Sequence, residues 1–117
     1  MIHSVPFPRL IESYGRSLHT ISLAVANTEY STGSIGWSSP VALNRAKAVR
    51  FGIRGGAAQL RWSLTAGRVA TLTEPYLLRP AGFYESLDDG VAGLTFYFAS
   101  PTAGAVLELE VLSEVTL

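Results

Sequence analysis

The stretch AVRFGIRGGAAQLRWSLTAG, residues 48–67, decides the fold. Apolar side chains alternate with polar or small ones over residues 49–54, and the alternation returns over residues 59–64. A period of two is the pattern of a strand with one buried face. The Gly55-Gly56 pair that separates the two runs is a turn signal. This stretch therefore predicts two consecutive β-strands, each with one apolar and one polar face.

The rest of the chain repeats the same pattern. Turn-forming dipeptides and tripeptides rich in Gly, Pro and Asp separate short runs of strand character, and no stretch has a convincing helical period. About eight short strands at a spacing of ~8–12 residues are typical of a β-sandwich or barrel. We therefore predict an all-β chain, a single antiparallel β-sandwich or jelly-roll domain. The other six predicted strands are residues 21–26, 68–72, 76–79, 83–87, 94–98 and 107–111.

Composition narrows the class of protein. The chain has 117 residues, of which 48% are hydrophobic and 15% charged, with a net charge of zero. The hydrophobic content argues against a disordered chain. The lack of a long apolar run argues against a membrane span, and the balanced charge argues against nucleic-acid binding. There is no cysteine, which excludes disulfides and thiolate metal sites. Low charge with a zero sum favours association, so we expect a protein that works in an assembly.

Residues 1–18 do not follow the alternation, and Pro6 and Pro8 exclude a central strand there. Two interpretations stay open: an edge strand or strap over its own domain, or an extended arm that docks on a neighbouring subunit. The division is thus an N-terminal arm or strap at 1–18 and a β-sandwich domain at 19–117. The N-terminus also lacks the features of a signal peptide. On the arm interpretation, the candidate contacts are Val5, Phe7, Leu10 and Tyr14.

The sequence contains no constellation that indicates catalysis. His3 and His19 are isolated from each other, and neither a nucleophile elbow nor a phosphate-binding glycine loop occurs. The acidic residues Glu85, Asp88 and Asp89 lie close together, but Asp-Asp-Gly is a good turn sequence for backbone reasons. We therefore expect no enzyme, no metal and no cofactor.

Basic residues occupy the polar faces of the two strands within 48–67. Arg50 and Arg54 lie on the first and Arg61 on the second, so pairing of these strands would create a small positive patch, a candidate polar interface. The alternative is a solvated face, or ion pairs with Glu108 and Glu110 across the sheet. The nearby aromatic side chains point to the opposite face, which argues against a platform for single-stranded nucleic acid.

Three stretches, taken in order and spacing, resemble small tailed-bacteriophage virion structural proteins. They are ANTEYS (26–31), the strand pair at 48–67, and LTFYFASPTAGAVLELEVLSE (94–114). The resemblance covers residues 20 to 114 and implies a compact β-sandwich or jelly-roll domain encoded among phage structural genes. The chain departs from the pattern at residues 31–43, where Trp37 either caps the core or reaches a partner.

These observations favour a non-enzymatic capsid decoration (cement) protein that binds the outside of the assembled phage head. The expected partners are the major capsid protein and further copies of the chain, as a dimer or trimer, with no nucleic acid and no membrane. The expected location is the capsid surface of the virion, after synthesis in the host bacterial cytoplasm. One alternative is a head–tail connector, tail or baseplate component. Another is a carbohydrate-binding β-sandwich module that uses exposed aromatic residues, for which the candidates are Tyr30, Trp37, Tyr84 and Tyr97.

Overall fold

The computed structural model describes residues 14–32, 43, 46–55 and 58–114. These residues form eight β-strands and no helix, which confirms the all-β prediction. It follows that no helix of the described chain is long and apolar enough to cross a membrane. The strands are β1 (Tyr14–Leu23), β2 (Tyr30–Ser31), β3 (Ala46–Arg54), β4 (Gln59–Ser63), β5 (Leu77–Pro80), β6 (Tyr84–Leu87), β7 (Tyr97–Ala99) and β8 (Ala105–Glu114).

The strands form two antiparallel sheets of four. The front sheet has the order β1-β8-β3-β6, and the back sheet has the order β2-β7-β4-β5. The first strand pairs with the last, the second with the seventh, the third with the sixth and the fourth with the fifth. This is one long antiparallel ribbon, rolled so that β8 also meets β3 and β7 also meets β4. The topology is that of a jelly roll.

The core lies between the sheets and is centred on Phe51. Its ring makes edge contacts with the rings of Trp62 and Phe98, both at a centroid distance of 5.1 Å, and with Phe96 at 5.5 Å. Phe51 comes from the front sheet, Trp62 and Phe98 from the back sheet. The alternation of residues 49–54 and 59–64 puts these rings on the inner faces, as the sequence predicts. Such edge-to-face pairs stabilise a core by about 0.5–1.5 kcal/mol each beyond the area they bury.

Loops cover the outer face of the back sheet. In the β1–β2 loop, the backbone N–H of Asn27 donates to the carbonyl oxygen of Ser100 at 2.7 Å. In the β4–β5 loop, the carbonyl oxygen of Pro75 accepts from Ser63 Oγ at 2.8 Å. The two loops are joined by Gly67 N, which donates to Glu29 Oε1 at 2.9 Å. Ser63 is consequently buried although it faces away from the core. Of the two outer faces formed by the described strands, that of the front sheet is the more exposed, with Leu18 at 73% and the side chain of Arg16 at 64%.

The structure differs from the sequence predictions at several places. The short strand β2 is not among the predicted strands, and the predicted strand at 21–26 ends at Leu23. Residues 68–72 are not a strand, because the chain turns back there: Thr73 N donates to the Arg68 carbonyl oxygen at 3.1 Å, and Thr71 Oγ1 to that of Gly67 at 2.8 Å. Of the predicted strand at 94–98, only its end belongs to β7. Finally, β1 starts at Tyr14, so the last residues of the predicted arm are strand. The sequence does not predict the start of β1, because an edge strand with one open face needs few apolar residues.

Candidate interaction surface

The outer face of the front sheet carries Arg50 and Arg54 of β3 and Glu108 and Glu110 of β8. Because side chains alternate along a strand, the residues between the core positions of β3 and β8 point to this open face. Arg50 lies opposite Glu110 in the register, and Gly52 lies opposite Glu108. We call this surface, formed by the outward residues of β1, β8, β3 and β6, the front face.

Two ion pairs cross the front face. Arg54 Nε lies 3.4 Å from Glu108 Oε2, and Arg16 Nε lies 3.2 Å from Glu110 Oε2. Both arginine side chains are more than half exposed, so each pair stabilises the fold by no more than about 1 kcal/mol. Their larger effect is to hold four long side chains in defined positions. The predicted pairing of arginines with Glu108 and Glu110 is confirmed for Arg54.

Tyr84 covers the one position of the front face that has no side chain. A Cβ atom on Gly52 would lie 2.6 Å from Tyr84 Cδ2 and 2.7 Å from the Phe83 carbonyl oxygen, so the tyrosine ring rests directly on the glycine. The phenol donates a hydrogen bond to Glu108 Oε1. This hydrogen bond raises the pKa of Tyr84 above its usual 10.0, because only the protonated phenol can donate it. The guanidinium of Arg50 lies over the same ring, 5.5 Å from its centroid.

A groove of about 440 Å³ runs over the front face between β1 and Tyr84. Leu18 and Thr20 of β1 form one wall, and Arg50 and Tyr84 form the other. Leu18 is 73% exposed, more than any other large apolar residue of the described chain. The groove therefore combines a fixed cation, fixed carboxylates and an apolar side chain in contact with solvent.

Arg61 does not belong to this surface, and the predicted patch of Arg50, Arg54 and Arg61 is wrong. The turn after β3 carries the chain to the other sheet, so β3 and β4 face each other across the core instead of pairing. Arg61 lies on the outer face of the back sheet under the covering loops and is only 4% exposed. Its Nη2 donates to Asn27 Oδ1. Arg61 therefore anchors the β1–β2 loop, which is a structural role.

The other predicted site residues divide into two groups. Tyr14 is the first residue of β1, where its backbone pairs with Glu114. Val5, Phe7, Leu10 and Trp37 lie outside the described residues. Sequence reasoning missed Leu18, because a single leucine among polar residues gives no strand signal. It also missed the packing of Tyr84 on Gly52, because only the strand register shows that these two residues are neighbours.

The acidic residues at 85–89 are structural. Glu85 forms a two-point ion pair with Arg79, with Arg79 Nε 3.2 Å from Oε1 and Nη2 3.1 Å from Oε2. Asp89 Oδ1 accepts from the backbone N–H of Gly90, whose φ is +69°. The interpretation of Asp-Asp-Gly as a turn is thus confirmed. In the described part of the chain, no three His, Cys, Asp or Glu side chains come together where they could hold a metal ion.

The front face differs from typical nucleic-acid surfaces and from typical small-molecule pockets. Its charges have both signs, whereas a surface for a phosphate backbone is positive throughout. Its groove is open to solvent and three of its lining residues are charged, Arg50, Glu108 and Glu110, whereas small-molecule pockets are enclosed and offer few charged groups. In comparisons with known proteins, no family model matches the chain, and no curated protein and no solved structure is significantly similar to it.

Proposed function

We propose that this chain is a non-enzymatic structural protein of a tailed-phage virion, a capsid decoration protein that binds the outside of the assembled head. The observation that carries the proposal is the front face, an open surface on a tightly packed domain whose charged groups are already held in place. Preorganised side chains lose little conformational entropy on binding. A surface of this kind is adapted to a rigid protein partner.

Two further arguments support a virion role. The quoted stretches at 26–31, 48–67 and 94–114 resemble those of small phage structural proteins. The jelly roll is also a fold of viral capsid domains, although lectins share it and a fold alone does not assign a function. Of the aromatic candidates for glycan binding, Tyr30 is buried, with its hydroxyl oxygen accepting from Val25 N. This removes Tyr30 from the candidates for glycan binding, whereas Tyr84 and Tyr97 are half-buried and stay candidates.

On this proposal, the front face docks on the major capsid protein. Arg50 and Leu18 supply the contacts, since arginine and exposed apolar groups dominate protein interfaces when both become desolvated. Each copy binds with a modest interface, and the repeating lattice of the capsid multiplies the effect when copies are linked. The low net charge of the chain limits repulsion between copies that crowd on one surface.

Quantitative mass spectrometry of purified particles, from cells that carry the gene for this chain, tests the proposal. On the order of hundreds of copies per particle are expected for a decoration protein on an icosahedral lattice. About six or twelve copies would assign the chain to the connector or tail, as the first alternative holds. Particles that lack the chain would refute a virion role altogether.

A matched pair of variants tests the surface itself. Arg50→Gln and Gln59→Glu each lower the net charge by one, but Arg50 lies on the front face and Gln59 on the back sheet. We expect Arg50→Gln to weaken binding to purified heads roughly tenfold in a co-sedimentation assay, as the loss of an interface arginine does, and Gln59→Glu to leave it unchanged. Equal binding by both variants would contradict the assignment of the front face.

A further inference from the structure

The four edge strands of the two sheets differ strongly in length. Within the described residues, the edges are β1 and β6 in the front sheet and β2 and β5 in the back sheet. β2 has two residues, and β5 and β6 have four each. β1 has ten. Short edges are one of the ways in which proteins avoid pairing with other chains. Only β1 departs from this rule.

Three further features that protect an edge are absent from the described residues of β1. A proline, a β-bulge or an unpaired charge usually blocks an exposed edge. β1 contains no proline, and its register with β8 runs without a shift from Tyr14 to Leu23. Its single charged residue, Arg16, is already paired with Glu110. Among the described residues, no strand pairs with the outer side of β1. This side is therefore a row of backbone donors and acceptors, roughly 33 Å long at ~3.3 Å per residue.

The side chains of β1 favour another copy of the same strand as the occupant. In antiparallel pairing about a two-fold axis, a residue near the middle of β1 meets its own copy, and Leu18 lies there. This register brings two leucines that are otherwise 73% exposed into contact with each other across the axis. It sets Arg16 opposite Thr20 of the second copy, which keeps the two Arg16 side chains apart. Ser17 then lies opposite His19 of the second copy. The two side chains are compatible as neighbours, since Ser17 Oγ and His19 Nε2 of the same strand already lie 3.1 Å apart. No like charges meet.

We propose that two copies of this chain pair through β1, antiparallel and with Leu18 on the two-fold axis. The two front sheets then form one continuous sheet of eight strands. A contact of this kind uses the same patch on both partners and closes at two copies, so it produces a dimer and no larger ring. The proposal stands on the edge strand alone and holds whether or not the chain belongs to a virion.

Single cysteines test the register, because the natural chain has none. Residues directly opposite in an antiparallel pair have Cα atoms about 4.5–5.5 Å apart, which is within the range of a disulfide. Leu18→Cys is expected to give a disulfide-linked dimer under mild oxidation. Ser22→Cys is the control on the same face of β1, since it is eight residues, or about 26 Å, from its own copy in this register. Leu72→Cys is the control for an exposed leucine on a distant loop.

The oligomeric state supplies an independent measurement. Light scattering on the eluting peak of a sizing column is expected to give the mass of a dimer for the wild type and for Leu72→Lys. Leu18→Lys should give a monomer at the same concentration, because it places two ammonium groups against each other on the axis. A wild-type monomer or trimer would overturn the proposal, as would cross-linking of Ser22→Cys in place of Leu18→Cys. Cross-linking of His19→Cys with none at Leu18→Cys would overturn the register, since that pairing puts His19 on the axis.

Discussion

Gly52 lies at a position where the usual effect of a glycine-to-alanine exchange is expected to change sign. In the middle of a strand, alanine normally stabilises a protein relative to glycine by about 0.5–1 kcal/mol, because it reduces the freedom of the unfolded chain. Gly52 has ordinary strand geometry in β3 and is buried. On propensity alone, Gly52→Ala would raise the stability.

The surroundings of Gly52 predict a loss instead. The new methyl carbon would lie 2.6 and 2.8 Å from two ring carbons of Tyr84 and 2.7 Å from the carbonyl oxygen of Phe83. The ring can shift, but the oxygen belongs to the backbone just before β6, which pairs with β3 at this residue. Overpacking of this kind costs about 1–3 kcal/mol. A domain of this size then loses roughly 4–12 °C in Tm.

Urea unfolding followed by circular dichroism measures the free energy of unfolding for this exchange. Ala48→Gly, on the same face of β3, calibrates the propensity effect and should cost about 0.5–1 kcal/mol. Repeating Gly52→Ala in a Tyr84→Ala background removes the ring but leaves the Phe83 oxygen, so the cost should fall without vanishing. If Gly52→Ala is neutral or stabilising, or costs the same in both backgrounds, Tyr84 does not rest on Gly52 and the shape of the front face is wrong.

Two other predictions concern charges on and beside the front face. The raised pKa of Tyr84 means that the folded state holds the phenol proton more tightly than the unfolded state, so its contribution to stability is complete below pH 10 and is lost as the pH rises through the folded pKa. Unfolding free energies between pH 9 and pH 11 should therefore fall more steeply for the wild type than for Tyr84→Phe, and parallel curves would refute the bond to Glu108. Arg79→Ala should lower the free energy of unfolding by about 1–3 kcal/mol, because it leaves the largely buried Glu85 without its two-point partner. Arg54→Ala should lower it by less than about 1 kcal/mol. Equal losses of stability in thermal unfolding would contradict this ranking.

The sequence predicts the class of fold well, because the sandwich depends on alternation. Residues 49–54 and 59–64 become β3 and β4, and their inward side chains form the centre of the core. Sequence could not predict that these consecutive strands lie in opposite sheets. A turn of the same composition can either close a hairpin within one sheet or connect the two sheets of a sandwich. The pairing of β3 with β8 and of β4 with β7 decides between these alternatives. The misplaced Arg61 follows from this single ambiguity.

The candidate surface was only half accessible to sequence reasoning. Arg50, Arg54, Glu108 and Glu110 are on the face that alternation assigns to them. Leu18 and Tyr84 complete the surface, yet neither has a local signal. Leu18 matters through the position of β1 at the edge of the sheet, and Tyr84 matters through the space above Gly52. Both are properties of packing between segments far apart in the chain.

The two proposals for this chain use different parts of the front sheet and reinforce each other. Pairing about Leu18 joins residues that share a face, so the front faces of both copies would lie on the same side of the eight-stranded sheet. A dimer then presents two front faces, side by side, to one partner surface. If each binds a capsid subunit, the second contact forms at a high effective concentration, and a modest single-site affinity suffices for stable attachment. Leu18→Lys, which separates the copies, should accordingly weaken head binding more than the loss of one leucine contact explains, and a Leu18→Cys disulfide dimer should restore it.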